Sequence, residues 1–341
     1  MPGSPTTPAG VPRRAGRGPG MHDVARAAGV SQKTVSRVVN GEPHVSPEAR
    51  SRVLRAVEAL GYRPNSAARA LIRGRYGRVG VVSIGVDRYG PSAQLLALQR
   101  AARARGYAVA SEGVAQDVPD GQAEALDSLM AQGVDGIVLL NPVGDGTQPA
   151  SVGDVPVVSL GMAREDGVAP ARAATEHLLA LGHRTVWHLP GPQQWWAARD
   201  RLRGWREALA SAGAPEPPLP PAGDWTAASG YTAGLGMART PGLTALFAAN
   251  DDMAIGAMRA FTQAGLDVPG QVSVMGYDDI PLAAYVTPPL STVGQDFAAV
   301  AERAVELLLG RIGHRPDPPG IAPIPVRLAL RQSTAAPPAR R

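Results

Sequence analysis

The chain contains no cysteine. That absence removes disulfides, thiolate metal sites and cysteine nucleophiles together, and it fits a cytoplasmic location. No run of about 18 apolar residues occurs, so no transmembrane helix and no membrane contact are expected. Residues 1–20, MPGSPTTPAGVPRRAGRGPG, lack the apolar core of a signal peptide. The six histidines show no close metal-ligand spacing; surface or capping roles suit them better, including His183 in an LGH turn. GVVSIG carries glycines, but neither GxGxxG nor a P-loop lysine follows. No cofactor and no metal are therefore expected. No leucine heptads follow Arg331, and APPARR cannot form a coiled coil.

What is present is unevenly distributed. The 341 residues suffice for two or three domains with sizeable cores. Residues 1–77 hold 13 Lys/Arg and 4 Asp/Glu, a net charge of +9. Residues 78–341 hold 21 and 25, a net of −4. A basic head on a mildly acidic body is what binding to a phosphate backbone requires. A solvated surface is the blander reading of such charge. Here the charge coincides with a motif that gives it a purpose.

That motif is Met21–Asn40, MHDVARAAGVSQKTVSRVVN. Val24, Ala27 and Ala28 recur at helical spacing. Gly29 suits a left-handed helix end. Val30 packs inward, and Ser31 is a good N-cap for a second helix with Val35, Val38 and Val39 on one face. Gln32, Lys33, Ser36 and Arg37 lie on the other. Two helices around such a turn form a helix-turn-helix, whose second helix fits the DNA major groove. A third helix is expected over Pro47–Leu60, capped by Ser46 and closed by Gly61, with Val53, Leu54, Val57 and Leu60 on its apolar face. Residues 64–77, PNSAARALIRGRYG, read as a linker with a short helical stretch that Asn65 can cap. The first twenty residues read as a disordered basic arm with Arg13, Arg14 and Arg17. Contact with phosphates and an extension ahead of a true start near Met21 both stay open for it.

DVARAAGVSQKTVSRVVN, followed by HVSPEARSRVLRAVEALGYRPNSAARAL, closely resembles the DNA-binding head of LacI/GalR-family transcriptional repressors. The resemblance implies base reading on and just beyond the second helix. By position Gln32, Lys33 and Arg37 are the base readers, since Gln pairs with adenine and Arg or Lys with guanine. Ser31, Thr34, Ser36, Asn40 and His44 are expected to hold phosphates. It also implies that PNSAARAL is a hinge helix, with Asn65 at its start and Leu71 wedged into the minor groove to kink the duplex. About nine residues are too few for a stable isolated helix, so the hinge would order only on DNA.

From Arg78 strands alternate with helices. VGVVSIGV, YAVASEGV and GIVLL are strands, separated by helices near Ser92–Arg105 and Asp120–Gln132. The alternation restarts after residue 166, with a helix to Leu181, strand TVWHLPG, helix ARDRLRGWREALASAG, strand LTALFAAN, helix DDMAIGAMRAFTQAG and strand VSVMGYD. This is an α/β body of two parallel-sheet lobes of periplasmic-binding-protein type, with a ligand cleft beyond the strands' carboxyl ends. The expected division is arm 1–20, head 21–63, hinge 64–77, body 78–334 and disordered tail 335–341. Within the body the N-lobe is 78–166 with 293–323, and the C-lobe is 167–292 with 324–334.

The body too resembles the LacI/GalR family, through EHLLALGH, GPQQWWAARDRLRGWREAL, GDWTAASGY, TALFAANDDMAIGAMRA and VSVMGYDDIPLAAYVTPPLSTVGQDF. Effector contacts then fall by position on Arg201, Trp225, Asn250, Asp278 and Gln295, and Trp195 and Trp196 lie where a cleft wall is implied. Asp, Asn and Arg suit vicinal hydroxyls, and an indole suits the apolar face of a pyranose. GDW with WW points to a galactoside-like or oligosaccharide effector. One departure stands out. Between VVSLGM and ATEHLL only AREDGVAPARA occurs, where relatives carry a longer segment with a strand and an aspartate. Gly161 falls where some sugar-binding relatives place a carboxylate.

Asp251–Asp252 and Asp278–Asp279 invite a glycosidase reading, but adjacent side chains diverge, and Asp251 reads as a helix cap. Trp205 reads as core and Trp225 as a ligand contact. The reading is a homodimeric DNA-binding repressor on a palindromic operator, controlled by a sugar-type effector and not an enzyme. The dimer contact is expected on the N-terminal lobe. Whether the effector weakens or strengthens DNA binding stays open. A sugar-binding protein of an uptake system would suit the body, but not the head.

Overall fold

A computed structural model describes residues 19–62, 74–115, 121–140, 142–144, 149–160, 165–318 and 324–339. Asn65, Leu71 and Gly161 lie outside them, as does residue 1–18 of the basic arm. The chain divides into two units, one ending at Tyr76 and the other beginning at Gly77.

The first unit contains helices α1 (Met21–Ala28), α2 (Gln32–Val39) and α3 (Pro47–Leu60). Local chemistry sets their ends. The Gly20 amide donates to the Asp23 carboxylate at 2.9 Å. Gly29 stops α1 at φ 63°, a left-handed conformation that only glycine adopts cheaply. Ser31 and Ser46 cap α2 and α3 by accepting from the Thr34 and Ala49 amides. Val24, Ala28, Val35, Val38, Val53 and Ala56 share one small core, which Tyr62 closes. The expected face of α3 needs correction. Leu54 is 52% exposed and Leu60 37%, while Val53 and Ala56 are buried. A three-residue step from Val53 to Ala56 keeps the core stripe narrow, so small Ala56 takes the inner position and the leucines fall outside it.

The second unit has two sheets. Its strands are β1 (Arg78–Ile84), β2 (Ala108–Val114), β3 (Gly136–Leu140), β4 (Ser151–Val152), β5 (Val155–Ser159), β6 (Trp187–Leu189), β7 (Ala245–Ala248), β8 (Ser273–Asp278), β9 (Ser291–Gly294) and β10 (Arg327–Ala329). Its helices are α4 (Tyr89–Ala104), α5 (Gly121–Ala131), α6 (Glu165–Ala180), α7 (Trp196–Ser211), α8 (Ala227–Met237), α9 (Asp251–Gln263) and α10 (Phe297–Ile312). The N-lobe sheet has order β2-β1-β3-β5-β4, parallel except for the β4–β5 pair. The C-lobe sheet has order β10-β9-β8-β7-β6, parallel except for β10.

Burial on both faces explains the near-continuous apolar strands. In β3, Val138 and Leu140 pack with Leu98 of α4 and Leu308 of α10. Ile137 and Leu139 face the other way, with Leu129 of α5. In the C-lobe, Trp205 of α7 and Leu178 of α6 cover Phe247 and Tyr277. Met253 and Phe261 of α9 cover Leu246 and Val274 on the opposite face. Trp205 is core as expected, and its indole N–H donates to the Val186 carbonyl at 2.8 Å.

Three expectations are corrected. Val293 and Gly294, assigned to the N-lobe, pair with Tyr277 and Asp278 in the C-lobe sheet. His183 is neither surface nor cap. It is 4% exposed and its ring nitrogens bond Thr244 Oγ1, Ser273 Oγ and the Ala335 carbonyl. Ala335, placed in a disordered tail, is therefore held, and its amide also donates to Ser273 Oγ at 2.9 Å. Buried polar groups demand partners, and the end of the chain supplies them.

Candidate functional site

In the first unit the second helix turns its valines inward and its polar residues outward. Gln32 and Lys33 are exposed, Arg37 is half-exposed, and Thr34, Ser36 and Asn40 are partly so. His44 is exposed, in the left-handed region at φ 68°. Of the expected phosphate ligands, Ser31, Thr34, Ser36 and Asn40 already have work within the head. Ser31 Oγ accepts the Thr34 amide, and Asn40 donates to Ser36 Oγ at 3.3 Å. Arg37 lies 3.9 Å from Glu42, a half-exposed ion pair that water screens.

In the second unit the strands converge on a cleft between the lobes. All seven expected effector residues, Trp195, Trp196, Arg201, Trp225, Asn250, Asp278 and Gln295, line one cavity there. The reason is topological. Gly90 and Pro91 follow β1, Pro142 follows β3, Leu160 follows β5, Trp195 follows β6, Asn250 follows β7, Asp278 ends β8 and Gln295 follows β9. Carboxyl ends of parallel strands thus deliver side chains from remote parts of the chain to one place.

Arg201 and Asp278 form the floor. Arg201 Nη2 donates to Asp278 Oδ1 at 3.2 Å, and Nη1 donates to the Ala249 carbonyl. Gln295 Nε2 donates to the same Asp278 oxygen at 2.6 Å. The guanidinium lies 3.8 Å from the Tyr277 ring centre and 5.3 Å from that of Trp225, a cation–π arrangement on two faces. Burial raises the Asp278 carboxyl above its ordinary range, while Arg201 pulls it down. Burial pushes the Tyr277 hydroxyl up to about 12. Behind Arg201, His188 stacks between Trp205 and Phe247 at 5.4 and 5.0 Å. Burial lowers His188 to about 3, so it is neutral, and its Nδ1 donates to the Phe247 carbonyl.

Asn250 has two tasks. Its Oδ1 accepts the Met253 amide as the cap of α9, and its Nδ2 donates to the Trp225 carbonyl at 3.0 Å. Trp225 sits at φ 72°, where a side chain is strained, and the surrounding bonds hold it there. Asp224 accepts from both the amide and hydroxyl of Thr226, and these bonds hold its carboxyl low. A Cβ on Gly191 would lie 2.4 Å from the Trp225 ring, so the indole requires glycine there.

Asp251 is not the cap that the sequence suggested. Asn250 fills that position, and Asp251 is fully buried. Its carboxylate accepts from the Ile280 amide at 2.8 Å and from Thr292 Oγ1 at 2.5 Å, tying α9 to the ends of β8 and β9. Burial, with Asp278 nearby, raises it from 3.8 to about 8. The sign follows from linkage. Between those values the folded chain keeps a proton that the unfolded chain has lost, so stability falls as pH rises from about 4 to 8. Asp251→Asn keeps both bonding partners and should flatten that fall. Urea midpoints at pH 5 and pH 8 check it, and an unchanged slope would place the titration on another group. Asp252 and Asp278, also raised by burial, contribute with the same sign.

Sequence reading missed Arg88, Tyr89, Gln94 and Arg303 of the N-lobe and Tyr277 of the C-lobe, all at the cavity. A strand end followed by charged or aromatic residues was the only available signal. Leu160 lines the wall just before Gly161, and α6 has begun by Glu165, with Gly167 also at the cavity. Among the described residues no group of three His, Asp or Glu side chains is placed to hold a metal. No helix among them is long and apolar enough to cross a membrane.

Comparison with known proteins matches both units. Residues 20–65 match the family described as bacterial regulatory proteins, lacI family, and residues 175–334 match the periplasmic binding protein-like domain. The lactose operon repressor of Escherichia coli (strain K12) is 36% identical, over 93% of this chain and 91% of its own length. The HTH-type transcriptional regulator CelR of Thermobifida fusca is 35% identical, over 92% of this chain and 96% of its own. Among solved structures, the lac repressor dimer bound to operator and the anti-inducer ONPF superposes with a TM-score of 0.80 at 33% identity, covering 94% of this chain and all of that one. The CelR–cellobiose complex superposes with a TM-score of 0.68 at 32% identity, covering 92% and 99%.

Proposed function

The chain belongs to the LacI family of bacterial regulatory proteins, and from that premise we propose that it is a dimeric, sequence-specific DNA-binding repressor governed by a small sugar in its cleft. The observation that carries this reading is the pairing of two features in one chain. A helix-turn-helix turns polar side chains outward, and a separate two-lobed body gathers Arg201, Asp278, Asn250, Gln295 and three tryptophans at one cavity. Relatives with this organisation are repressors of lactose and ribose operons, and the solved relatives hold operator DNA, ONPF, ONPG or cellobiose. The chain is a regulator of carbohydrate metabolism acting in the cytoplasm, and it turns nothing over.

Gln32, Lys33 and Arg37 read bases, and the surrounding Ser31, Thr34, Ser36, Asn40 and His44 hold phosphates. Asn65 and Leu71, outside the described residues, are the linker's contacts with the operator. Two heads on a two-fold axis read a palindrome. The two-fold contact falls on the N-lobe, where the large apolar side chain of Leu96 is left 48% exposed. The cleft transmits its state by linkage. A sugar that prefers one arrangement of the lobes changes operator affinity by its differential affinity, typically ~1–3 kcal/mol.

Selection of DNA sites from a random pool, followed by binding of the selected site with and without sugars, tests the whole reading. An inverted repeat whose affinity shifts with one sugar class is expected. Recovery of no enriched site would overturn it. In the same assay Arg37→Ala should cost ~1–3 kcal/mol and relax preference at one base pair per half-site. Undiminished preference there would remove Arg37 from the base readers.

A further inference from the structure

Of the 34 lysine and arginine residues in the chain, Lys33 is the single lysine. The distinction is chemical. A guanidinium is delocalised and stays charged, so it does not act as a nucleophile, whereas an amine that has shed its proton does. Cysteine is absent, so no thiol competes. Apart from the terminal amino group, an electrophile that seeks amines and thiols therefore finds one side chain.

That side chain stands on the helix read above as the base reader. Lys33 is the second residue of α2 and is exposed. Burial of Val35 and Val38 fixes which way α2 faces, so the amine stays outward. Among the described residues no carboxylate or carbonyl holds its ammonium. The acids of the head are placed elsewhere. Asp23 accepts from the Gly20 amide, Glu42 lies beside Arg37, and Glu48 and Glu58 belong to α3. Arg37, one turn along the same face, is a like charge and no partner. The polar neighbours satisfy one another, Ser31 with the Thr34 amide and hydroxyl, and Asn40 with Ser36. Lys33 thus carries a charge that the fold itself does not use. Neutralising it leaves the head intact and changes only what the head can bind.

We infer that Lys33 is a modification site, acylated by acyl phosphates, where the loss of one charge switches off DNA reading. The inference rests on the DNA reading above and adds a control that bypasses the cleft. The ammonium first gives a proton to water. The free amine's lone pair attacks the acyl carbonyl carbon and an N–C bond forms. The C–O bond to phosphorus's oxygen breaks, its electron pair leaves on the phosphate, and the nitrogen's second proton goes with it. The product is a neutral amide, which keeps one N–H donor but neither the charge nor the other donors of the ammonium. DNA and the acyl group compete for one amine, since an amine set against a base edge is closed to the donor.

Treatment of the full chain with acetyl phosphate, followed by peptide mass spectrometry and by binding of the selected DNA site, tests it. Acetylation at Lys33 is expected, with operator affinity lowered about tenfold or more in the acetylated chain. Operator bound beforehand should slow the acetylation of Lys33 by a similar factor. Lys33→Gln, neutral without any reagent, should reproduce the weakened binding with an unchanged urea midpoint, which separates the effect from a folding defect. In Lys33→Arg, whatever affinity the variant starts with should change by less than about twofold on treatment, which excludes damage elsewhere. A free chain that acetyl phosphate leaves unmodified at Lys33 would overturn the site. Acetylated chain that binds operator as tightly as before would overturn the switch, and so would equal acetylation with and without operator; both leave the DNA reading intact. A selection that recovers no DNA site would overturn that reading and the switch with it.

Discussion

Arg201→Leu is expected to destabilise the body by about 3–5 kcal/mol and to abolish sugar binding, because it leaves Asp278 as a buried carboxylate without its cation. Asp278 is 8% exposed, and its strongest compensating charge is the guanidinium 3.2 Å away. Gln295 still donates to it, but one amide does not replace a cation. The loss also empties the space over Tyr277, where the guanidinium stacks at 3.8 Å. The informative companion is the double variant Arg201→Leu/Asp278→Leu. Removing both charges of a buried pair is often near neutral for stability, since neither ion then has to be desolvated. The double variant should therefore regain most of the lost stability and none of the sugar binding. Urea denaturation and intrinsic tryptophan fluorescence titrations read the two quantities separately. A double variant as unstable as the single one would show that the pair contributes net stability; sugar binding that survives in either would displace these residues from the site.

The second large effect lies away from the cavity. Gly256→Val should destabilise by about 3 kcal/mol or more, since the site has backbone on both sides and neither can yield. A Cβ on Gly256 would meet the Ala227 carbonyl oxygen at 2.0 Å and the Tyr231 amide nitrogen at 2.7 Å. From the opposite helix, a Cβ on Gly230 would lie 2.2 Å from the Met253 carbonyl oxygen. Helices α8 and α9 are thus in backbone contact. Trp225 sits one residue before the Thr226 cap of α8, and Asn250 caps α9. Forcing the helices apart should stretch the bond between Asn250 and the Trp225 carbonyl, so sugar affinity should fall along with stability. Gly236, in the same helix, has nothing within 4 Å of its Cβ position. Gly236→Ala should stabilise by up to ~1 kcal/mol through helix propensity alone. Equal effects at the two positions would exclude close packing as the cause.

The contrast between those glycines bears on what a sequence discloses. AASGYTAGLGMA gives Gly230, pressed against Met253, and Gly236, which has nothing beside it, the same chemical identity. Only the neighbouring helix separates them, and it lies more than twenty residues away in the chain. Asp251 carries the same lesson. Beside Asn250 it looks like a cap, but the side chain turns from the helix end to Thr292 and Ile280, partners about thirty to forty residues on. His183, at a turn, looks exposed until the end of the chain is folded over it. Leu54 and Leu60 look like core until α3 is docked by Val53 and Ala56 instead.

By itself the sequence determined most of what depends on near neighbours, though not which of Asn250 and Asp251 caps α9. Gly29, Ser31, Ser46 and Gly61 end or cap helices through groups within three or four residues, so the three-helix head could be laid out from their order alone. Alternating apolar strands and helices determined two parallel-sheet lobes, because each segment's period is a local property. The basic charge of the first 77 residues determined the polyanionic partner. The tertiary structure decided what depends on convergence. It brought Arg88 and Tyr89 to the same cavity as Tyr277 and Gln295, and placed Arg201 against both Tyr277 and Asp278. The physical reason is that parallel strands from distant parts of the chain end on the same edge. Side chains there acquire their partners, their burial and their charge state from residues that no local pattern connects to them.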